Sequence, residues 1–277
     1  MFVIILCFII GLASATVGSL VGLGGGVILV PTLLILHVTT PSFDWADTST
    51  IVGISLIIMI FTAASSTYTY AKNHRIDYKS GVYFIIGSLP GGILGAWLNQ
   101  FVETDMFSVF LGLFMLVIFL VFILKKTPDS GEQMPLKKGR HKVRREITIG
   151  SSTYRYGFSP VIAMLIAFVV GVLSGFFGIG GGSLMVPAMI LLFYFPPHIA
   201  TATSMFMILT LSTVSSLTHI SLGHIEWMYV WAFIPGAWFG GILGAKLNQR
   251  LSSTSVEYLL RAILLLIGLR LIWQGLF

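Results

Sequence analysis

A ten-residue passage occurs twice in this chain, and both copies stand between long apolar runs. The first copy reads GLGGGVILVP at residues 22–31, and the second reads GIGGGSLMVP at residues 178–187. Another passage recurs in the same order, as GGILGAWLNQ at residues 91–100 and GGILGAKLNQ at residues 240–249. We therefore expect two homologous repeats that together cover nearly the whole chain.

Glycines at four-residue spacing also recur in the two halves. Such spacing lays a glycine groove along one helix face, where another backbone can lie close, so we expect these glycines to serve helix packing. They are Gly87, Gly91 and Gly95 in the first half and Gly236, Gly240 and Gly244 in the second.

The composition places these repeats in a membrane. Hydrophobic residues make up 56% of the 277 positions, charged residues make up 9%, and the mean hydropathy is +0.95. Too little polar surface remains to cover a water-soluble protein of this size. The predicted fold is an all-α polytopic membrane protein with five apolar helical segments per half. These segments are residues 2–20, 27–38, 51–70, 82–98 and 107–124, then 161–176, 183–195, 201–220, 228–247 and 256–273.

The first fifteen residues end in Ala13-Ser14-Ala15, which resembles the cleavage site of a signal peptide. We interpret it as a membrane segment instead, because no basic region precedes it and a similar apolar segment precedes the second glycine cluster. The predicted organisation is a first transmembrane repeat at residues 1–124, a linker at 125–159 and a second transmembrane repeat at 160–277.

The linker carries nine Lys or Arg residues against three acidic residues, with prolines and glycines scattered through it. This composition predicts a solvated, mobile segment. The positive-inside rule places it in the cytoplasm, so no nucleic-acid partner is needed to explain its charge. Other basic residues fall between segments three and four of the first half and between segments four and five of the second. If each half crosses the membrane an odd number of times, inverted repeats put every basic loop inside. Parallel repeats would leave Lys246 and Arg250 outside.

The second segment of each half is too short to span a membrane. Twelve or thirteen residues form about 20 Å of helix, whereas the hydrocarbon core is ~30 Å thick. The sequence leaves two alternatives open, a re-entrant hairpin with the glycine cluster at its tip and a broken spanning helix. In inverted repeats, the two glycine clusters approach the midplane from opposite sides, where secondary transporters keep their binding sites.

Glycine clusters at helix starts provide an anion site without a cationic side chain. Their backbone permits close approach, and the first amides of a helix carry partial positive charge and have no partner within the helix. We expect Pro31 and Pro187 to interrupt or kink the helices that follow. The competing interpretation is that these glycines serve only helix packing. Hydroxyl residues nearby are further candidates, although most such residues bond a carbonyl of their own helix. The predicted substrate-binding residues are Gly24, Gly25, Gly26, Val27, Gly180, Gly181, Gly182, Ser183, Ser55, Thr203 and Ser204.

The sequence lacks the residues that several classes of function require. No Asp or Glu lies within an apolar segment away from its ends, and no phosphate-binding loop is present. The single Cys7 and the absence of a Cys/His cluster argue against metal and redox sites. We expect no cofactor, no metal and no enzymatic activity. A membrane-embedded enzyme and a passive channel remain as alternative classes.

The duplicated glycine motif, the GGILGA blocks and the charged linker resemble the TauE/SafE family of sulfite exporters and sulfonate permeases. The resemblance spans both halves and implies a transporter of the bacterial inner membrane. It implies as substrate a small sulfur oxyanion, sulfite or an organosulfonate such as sulfoacetate, with export favoured and uptake as the alternative. The expected partners are that anion and membrane lipid, with a second copy of the chain, in a homodimer, as a further candidate. The chain departs from exact symmetry at Val27, which stands where the second repeat has Ser183.

Overall fold

The computed structural model describes residues 2–101, 104–124, 143–149 and 152–276. Each of the ten predicted apolar segments corresponds to one helix, so the predicted helical membrane fold is confirmed. The first half contains α1 (Phe2–Val21), α2 (Gly26–Thr39), α3 (Thr48–Ala71), α4 (Tyr78–Asn99) and α5 (Thr104–Leu124). The second half contains α6 (Pro160–Phe177), α7 (Gly182–Phe193), α8 (Pro197–Ser221), α9 (Trp227–Arg250) and α10 (Ser253–Leu276).

Six helices in the described ranges are long and apolar enough to cross a membrane, namely α1, α3, α4, α6, α8 and α9. Large apolar side chains lie exposed on the outer faces of these helices, as contact with lipid requires. Helices α2 and α7 have only 14 and 12 residues. At about 1.5 Å per residue neither one spans the hydrocarbon core, which confirms the prediction from segment length.

Helices α1 and α9 pack together along a stripe of glycines. A Cβ added to Gly236, Gly240 or Gly244 would collide with the backbone carbonyls of residues 8, 12 and 16, respectively. The contacts advance in the same order along both helices, so α1 and α9 run in the same direction. Close approach of two backbones requires small residues at the contact. The predicted packing role of this glycine stripe is therefore confirmed.

Helices α4 and α6 form the matching pair. Here Gly87, Gly91 and Gly95 of α4 lie against the backbone of residues 164, 168 and 172, again in the same direction. The first helix of each half is thus joined to the fourth helix of the other half. This exchange ties the two halves into one bundle.

The direction of α3 and α8 follows from their ends. The start of α3 lies beside the end of α8, since a Cβ at Gly53 would lie 2.9 Å from the carbonyl oxygen of His224. At the other end, Thr203 of α8 accepts a hydrogen bond from the amide of Asp77, which follows α3. The two helices therefore run in opposite directions. Helix α4 runs parallel to α8, because Gly81 and Gly92 face Phe206 and Ser215, respectively.

The linker differs from its prediction as a solvated and mobile segment. Strands β1 (Val143–Ile149) and β2 (Ser152–Phe158) pair as an antiparallel hairpin, with Val143 opposite Phe158 and Ile149 opposite Ser152. Residues 125–142 lie outside the described ranges. The hairpin forms because apolar and aromatic residues alternate along both strands and can be buried on one face. Tyr156 and Phe158 are accordingly buried.

Candidate functional site

The first glycine break, residues 22–26, is a sharp turn that folds back onto α1. Gly22, Gly24 and Gly25 have φ angles of +82°, +78° and +96°, a region that residues with a Cβ rarely adopt. Two amides of the turn donate to the carbonyl of Gly18 at 2.7 and 3.2 Å. A Cβ on Gly18 would collide with the backbone of Gly25. This turn, the first tip, is therefore packed tightly against the end of α1.

The second glycine break, residues 178–182, is a looser version of the same turn. Gly178 and Gly180 again have positive φ angles, of +64° and +70°. Gly181 differs, because its φ of −57° is helical. Ser174 stands in α6 where α1 has Gly18, and we attribute the difference to the space that its side chain occupies. This turn is the second tip.

The two tips touch each other inside the bundle. A Cβ on Gly26 would lie 2.5 Å from the carbonyl oxygen of Gly178 and 2.8 Å from Cα of Ile179. The sulfur of Met59 fills the space that remains, since a Cβ on Gly24, Gly26 or Gly180 would lie 2.8–3.0 Å from it. The tips are therefore joined through a flexible thioether that can change rotamer at low cost.

One buried serine from the opposite half holds each tip. Ser55 Oγ of α3 donates to the carbonyl of Gly178 at 2.7 Å, and Ser204 Oγ of α8 donates to the carbonyl of Gly22 at 2.6 Å. Sequence analysis predicted both serines as substrate ligands, and the structure brings both to the tips. Their protons are engaged by carbonyls in this conformation.

The other predicted ligands outside the glycine clusters are Val27, Ser183 and Thr203. Val27 is buried beside the first tip at the start of α2. The side chain of Ser183 lies outside what the structure describes. Thr203 is not brought to the tips, because its hydroxyl accepts the amide of Asp77 at 3.0 Å. Thr203 therefore serves the loop between α3 and α4 in this conformation.

Pro31 and Pro187 do not interrupt their helices, which is a correction to the sequence prediction. Helix α2 continues through Pro31 and α7 continues through Pro187. Each proline lies inside its helix and removes one amide donor from it. The chain is broken at the glycines that precede the helices instead.

The tips present two helix starts to one small region. Helix α2 begins at Gly26 and α7 begins at Gly182. The amides of a first helical turn have no partner within the helix and carry partial positive charge. The side chains that the structure places against the tips are uncharged, among them Met59, Ile208 and Val186. Such an arrangement can bind a small anion through backbone amides in a medium of low dielectric constant.

A second polar centre joins the linker hairpin to the bundle, and sequence analysis missed it. Asp77 precedes α4, and its carboxylate is fully buried. Arg145 of β1 pairs with it at 2.6 Å, and the Tyr156 hydroxyl of β2 donates to it at 2.8 Å. The ring of Tyr156 packs on Phe195 with centroids 4.1 Å apart. We call this cluster the latch, because it attaches the hairpin to both halves of the chain.

Hydrogen bonds set the charge state of the latch. Burial alone would raise the pKa of Asp77, but hydrogen bonds from Arg145, Ser80 and Tyr156 together hold it below the usual 3.8. The hydrogen bond to Asp77 raises the pKa of Arg145. Burial and the nearby carboxylate raise the pKa of Tyr156. At neutral pH the latch is therefore an ion pair with a neutral tyrosine.

Acid should open the latch. A carboxylate whose pKa is lowered by folding contributes stability above its unfolded pKa, and that contribution is lost as pH falls through the folded value. We expect the thermal stability from Asp77 to be fully present above about pH 4 and to be lost at lower pH. Thermal unfolding should be recorded from pH 7 downward for the wild type and Asp77→Asn. Parallel acid curves for the two proteins would assign the effect to other carboxylates.

The described residues contain no group of three or more His, Cys, Asp or Glu side chains that would hold a metal ion. Cys7 is buried in α1.

Comparison with known proteins identifies the family. The family described as "Sulfite exporter TauE/SafE" matches residues 7–271. The chain is 44% identical to the probable membrane transporter protein YunE of Bacillus subtilis over 274 residues, which cover 99% of this chain and 98% of YunE. It is 25% identical to a probable membrane transporter protein of Xylella fastidiosa, with 96% of this chain and 93% of the relative covered.

A relative occurs outside the bacteria as well. The probable membrane transporter protein MJ0441 of Methanocaldococcus jannaschii is 25% identical over 278 residues, which cover 95% of this chain and 93% of MJ0441. No solved structure gives a significant match. On this match of the family along nearly its whole length, the chain belongs to the TauE/SafE family and is a multi-pass membrane transporter.

Proposed function

We propose that the chain is a secondary transporter that exports a small sulfur oxyanion, sulfite or an organosulfonate such as sulfoacetate, across the bacterial inner membrane. The observation that carries this proposal is the contact between the two glycine tips inside the bundle. Two helix starts converge there among uncharged side chains, which suits an anion bound by backbone amides. The family description, which names sulfite export, agrees with this chemistry.

The proposal includes inverted repeats, and the helix directions support them. Helices α1 and α9 run in the same direction, as do α4, α6 and α8, whereas α3 and α8 are opposed. Helix α9 also runs in the same direction as α3. Near the start of α9, Tyr229 stacks on Trp45, which precedes α3. Near the end of α9, Lys246 lies beside the end of α3. The corresponding helices of the two halves, α1 and α6, α3 and α8, and α4 and α9, thus point in opposite directions. Two tips related in this way approach the membrane centre from opposite sides.

Electrostatics supports export as the direction of transport. With a cell interior that is negative, each negative charge that leaves gains about 2.3 kcal/mol per 100 mV. Export of an anion therefore needs no ATP. The proposed orientation places the linker and its hairpin in the cytoplasm, in accord with the positive-inside rule. Uptake of a sulfonate is the alternative, and it would require a coupled ion.

Flux through purified protein in liposomes tests the proposal. We expect saturable movement of sulfite or sulfoacetate that accelerates when the destination compartment is made positive, with taurine and sulfate as comparison substrates. Protein-free liposomes give the leak rate. Flux that does not saturate would indicate a channel, and net movement against the voltage would indicate a coupled uptake permease. No flux of any of the four compounds above the leak would contradict the proposal.

A further inference from the structure

The two faces that surround the tips have matching positions but different hydrogen bonding. The first face lies between α1, α3 and α9 and includes Ser19, Ser66, Tyr70 and Asn248. The second face lies between α6, α8 and α4 and includes Ser174, Gly175, Ser212, Ser215 and Asn99. When the two proposed repeats are aligned, three positions of the first face have counterparts on the second. Ser19 is matched by Gly175, Ser66 by Ser215 and Asn248 by Asn99.

The first face is satisfied by its own hydrogen bonds. Ser19 Oγ donates to the carbonyl of Gly241 at 2.8 Å, and Ser66 Oγ lies 2.6 Å from Ser19 Oγ. The Tyr70 hydroxyl donates to the carbonyl of Ser19 at 2.9 Å. Asn248 uses both ends of its amide, because Nδ2 donates to Leu20 at 2.7 Å and Oδ1 lies 3.1 Å from His198 Nδ1. No polar group among these four side chains is left for a ligand.

The second face leaves polar atoms without partners. Gly175 lacks the hydroxyl that Ser19 supplies, so the bond to the opposite glycine carbonyl is not made. Asn99 Nδ2 donates to Phe176 at 2.9 Å, but within the described part of the chain Oδ1 has no partner. The same is true of three serine hydroxyls, those of Ser174, Ser212 and Ser215. Each of the three serines is at most 1% exposed.

These hydroxyls lie close to the second tip. Leu211 connects the two, since its methyl carbons lie 3.0 Å from a Cβ on Gly181 and 2.5 Å from a Cβ on Gly92. Ser215 Oγ would lie 2.8 Å from the same Gly92 Cβ, and Ser212 lies three residues before Ser215 on one face of α8. Ser174 is one turn before the second tip in α6. Leu211 therefore lies between Ser215 and the α7 helix start, and Ser174 approaches the second tip along α6.

Unpaired hydroxyls inside a membrane protein need an explanation. A buried polar group without a partner costs about 1–3 kcal/mol, and native proteins satisfy nearly all such groups. A hydroxyl is a neutral donor, and a row of donors beside a helix start suits an oxyanion better than a cation. The first face shows that the same fold can satisfy its hydroxyls internally. The unpaired groups on the second face are thus a difference in the residues rather than a defect of the fold.

We propose that the second face is a polar vestibule that leads an oxyanion to the second tip, where the hydroxyls of Ser174, Ser212 and Ser215 bind it, while the first face is closed. The identity of the ligand rests on the proposed function, whereas the accessibility of the face does not. The vestibule extends toward the end of α8 that carries His219, whose Nδ1 lies 3.1 Å from Nδ1 of His224 in the loop that follows. That end is opposite to the linker hairpin.

Cysteine accessibility tests this proposal without a transport assay. The chain contains a single cysteine, Cys7, so Cys7→Ala provides a cysteine-free background for the full-length protein. Ser212→Cys and Ser215→Cys report on the second face. Ser66→Cys is the matched control for Ser215→Cys, and Ser19→Cys is a second control on the first face. Each variant is treated in whole cells with a small methanethiosulfonate reagent that carries a sulfonate group. Size-exclusion profiles of the purified variants show which ones fold.

We expect the thiols on the second face to react at least about tenfold faster than those on the first face. All four serines are buried in this conformation, so the difference is expected to come from opening of the vestibule to water and reagent during transport, whereas the first face stays closed by its own hydrogen bonds. Equal rates on the two faces, or no reaction at Ser212→Cys and Ser215→Cys in folded protein, would overturn the proposed vestibule. Sulfoacetate should slow the reaction at both positions. Fast labelling without protection by sulfoacetate would keep the vestibule and reject this sulfonate as its ligand.

Discussion

Asp77→Ala is expected to lower the midpoint of thermal unfolding by about 6–12 °C. The substitution removes the buried carboxylate that Arg145 and Tyr156 contact, and it leaves the Arg145 side chain, only 21% exposed, without its counter-ion. Breaking a buried pair in this way costs about 3 kcal/mol or more. In a chain of this size each kcal/mol corresponds to roughly 2–4 °C. Thermal unfolding in detergent, followed by intrinsic fluorescence, gives the midpoint.

The same hairpin supplies the control. Arg155 and Glu146 form an ion pair at 3.1 Å, and both side chains are 53% exposed. Exposed pairs contribute about 0–1 kcal/mol, so Glu146→Ala should barely change the midpoint. Combining Asp77→Asn with Arg145→Gln removes both charges and should recover part of the loss. Equal effects of Asp77→Ala and Glu146→Ala would show that the latch does not hold the hairpin.

Gly26→Ala should abolish transport and reduce the yield of folded protein. The added methyl group would lie 2.5 Å from the carbonyl oxygen of Gly178 and 2.8 Å from Cα of Ile179. Both neighbours are backbone atoms of the second tip, and they cannot move aside as a side chain does. Relieving such a clash costs typically 1–3 kcal/mol, because the tips must separate. Flux in liposomes and the size-exclusion profile report the two effects.

Gly181→Ala tests the role of the second tip in transport with little effect on folding. The φ of Gly181 is helical, and its nearest neighbour would be a methyl carbon of Leu211 at 3.0 Å, the end of a flexible side chain. We expect this variant to fold with a normal yield but to transport more slowly, since the methyl group enters the region between the second tip and the vestibule. Gly25 is less suitable for this purpose, because its φ of +96° makes any side chain strained. Normal transport by Gly26→Ala would contradict the central role of the tips.

The sequence was sufficient for the helices and for the glycine stripes. Apolar runs longer than about 18 residues have few alternatives to a membrane helix, and glycines four residues apart align on one helix face. Gly87, Gly91 and Gly95 pack on α6 as expected. The identity of the partner helix could not be predicted, because the spacing identifies the packed face of a helix but not the helix that packs against it.

The linker hairpin and the latch could not be predicted for a different reason. Nine basic residues dominate residues 125–159, and this charge concealed the alternation of Tyr154, Tyr156 and Phe158. Asp77 and Arg145 are 68 residues apart, so nothing local in the sequence connects them. The alternation was the available signal, whereas the ion pair becomes visible only when the hairpin is docked.

The unpaired hydroxyls of the vestibule show a further limit. Ser215 and Ser66 occupy matching positions of the repeat and are the same residue. Ser66 bonds Ser19 on a neighbouring helix, where the second half has Gly175, and it also donates to the carbonyls of Thr62 and Gly241. Whether a hydroxyl has a hydrogen-bond partner depends on its surroundings. Those surroundings depend on the packing of α1 against α9 and of α6 against α4.

The exchange of first and fourth helices has a consequence for biosynthesis. Leu20 at the end of α1 accepts a hydrogen bond from Asn248 of α9, a residue 228 positions later. At roughly 5–20 residues per second, the ribosome needs about 10–45 s to deliver that partner. During this interval the glycine-lined groove of α9 does not yet exist, and the buried side of α1 faces lipid or an insertion factor. The membrane protein therefore completes its native assembly only near the end of translation, and truncation before α9 leaves the first helix without the surface on which it packs.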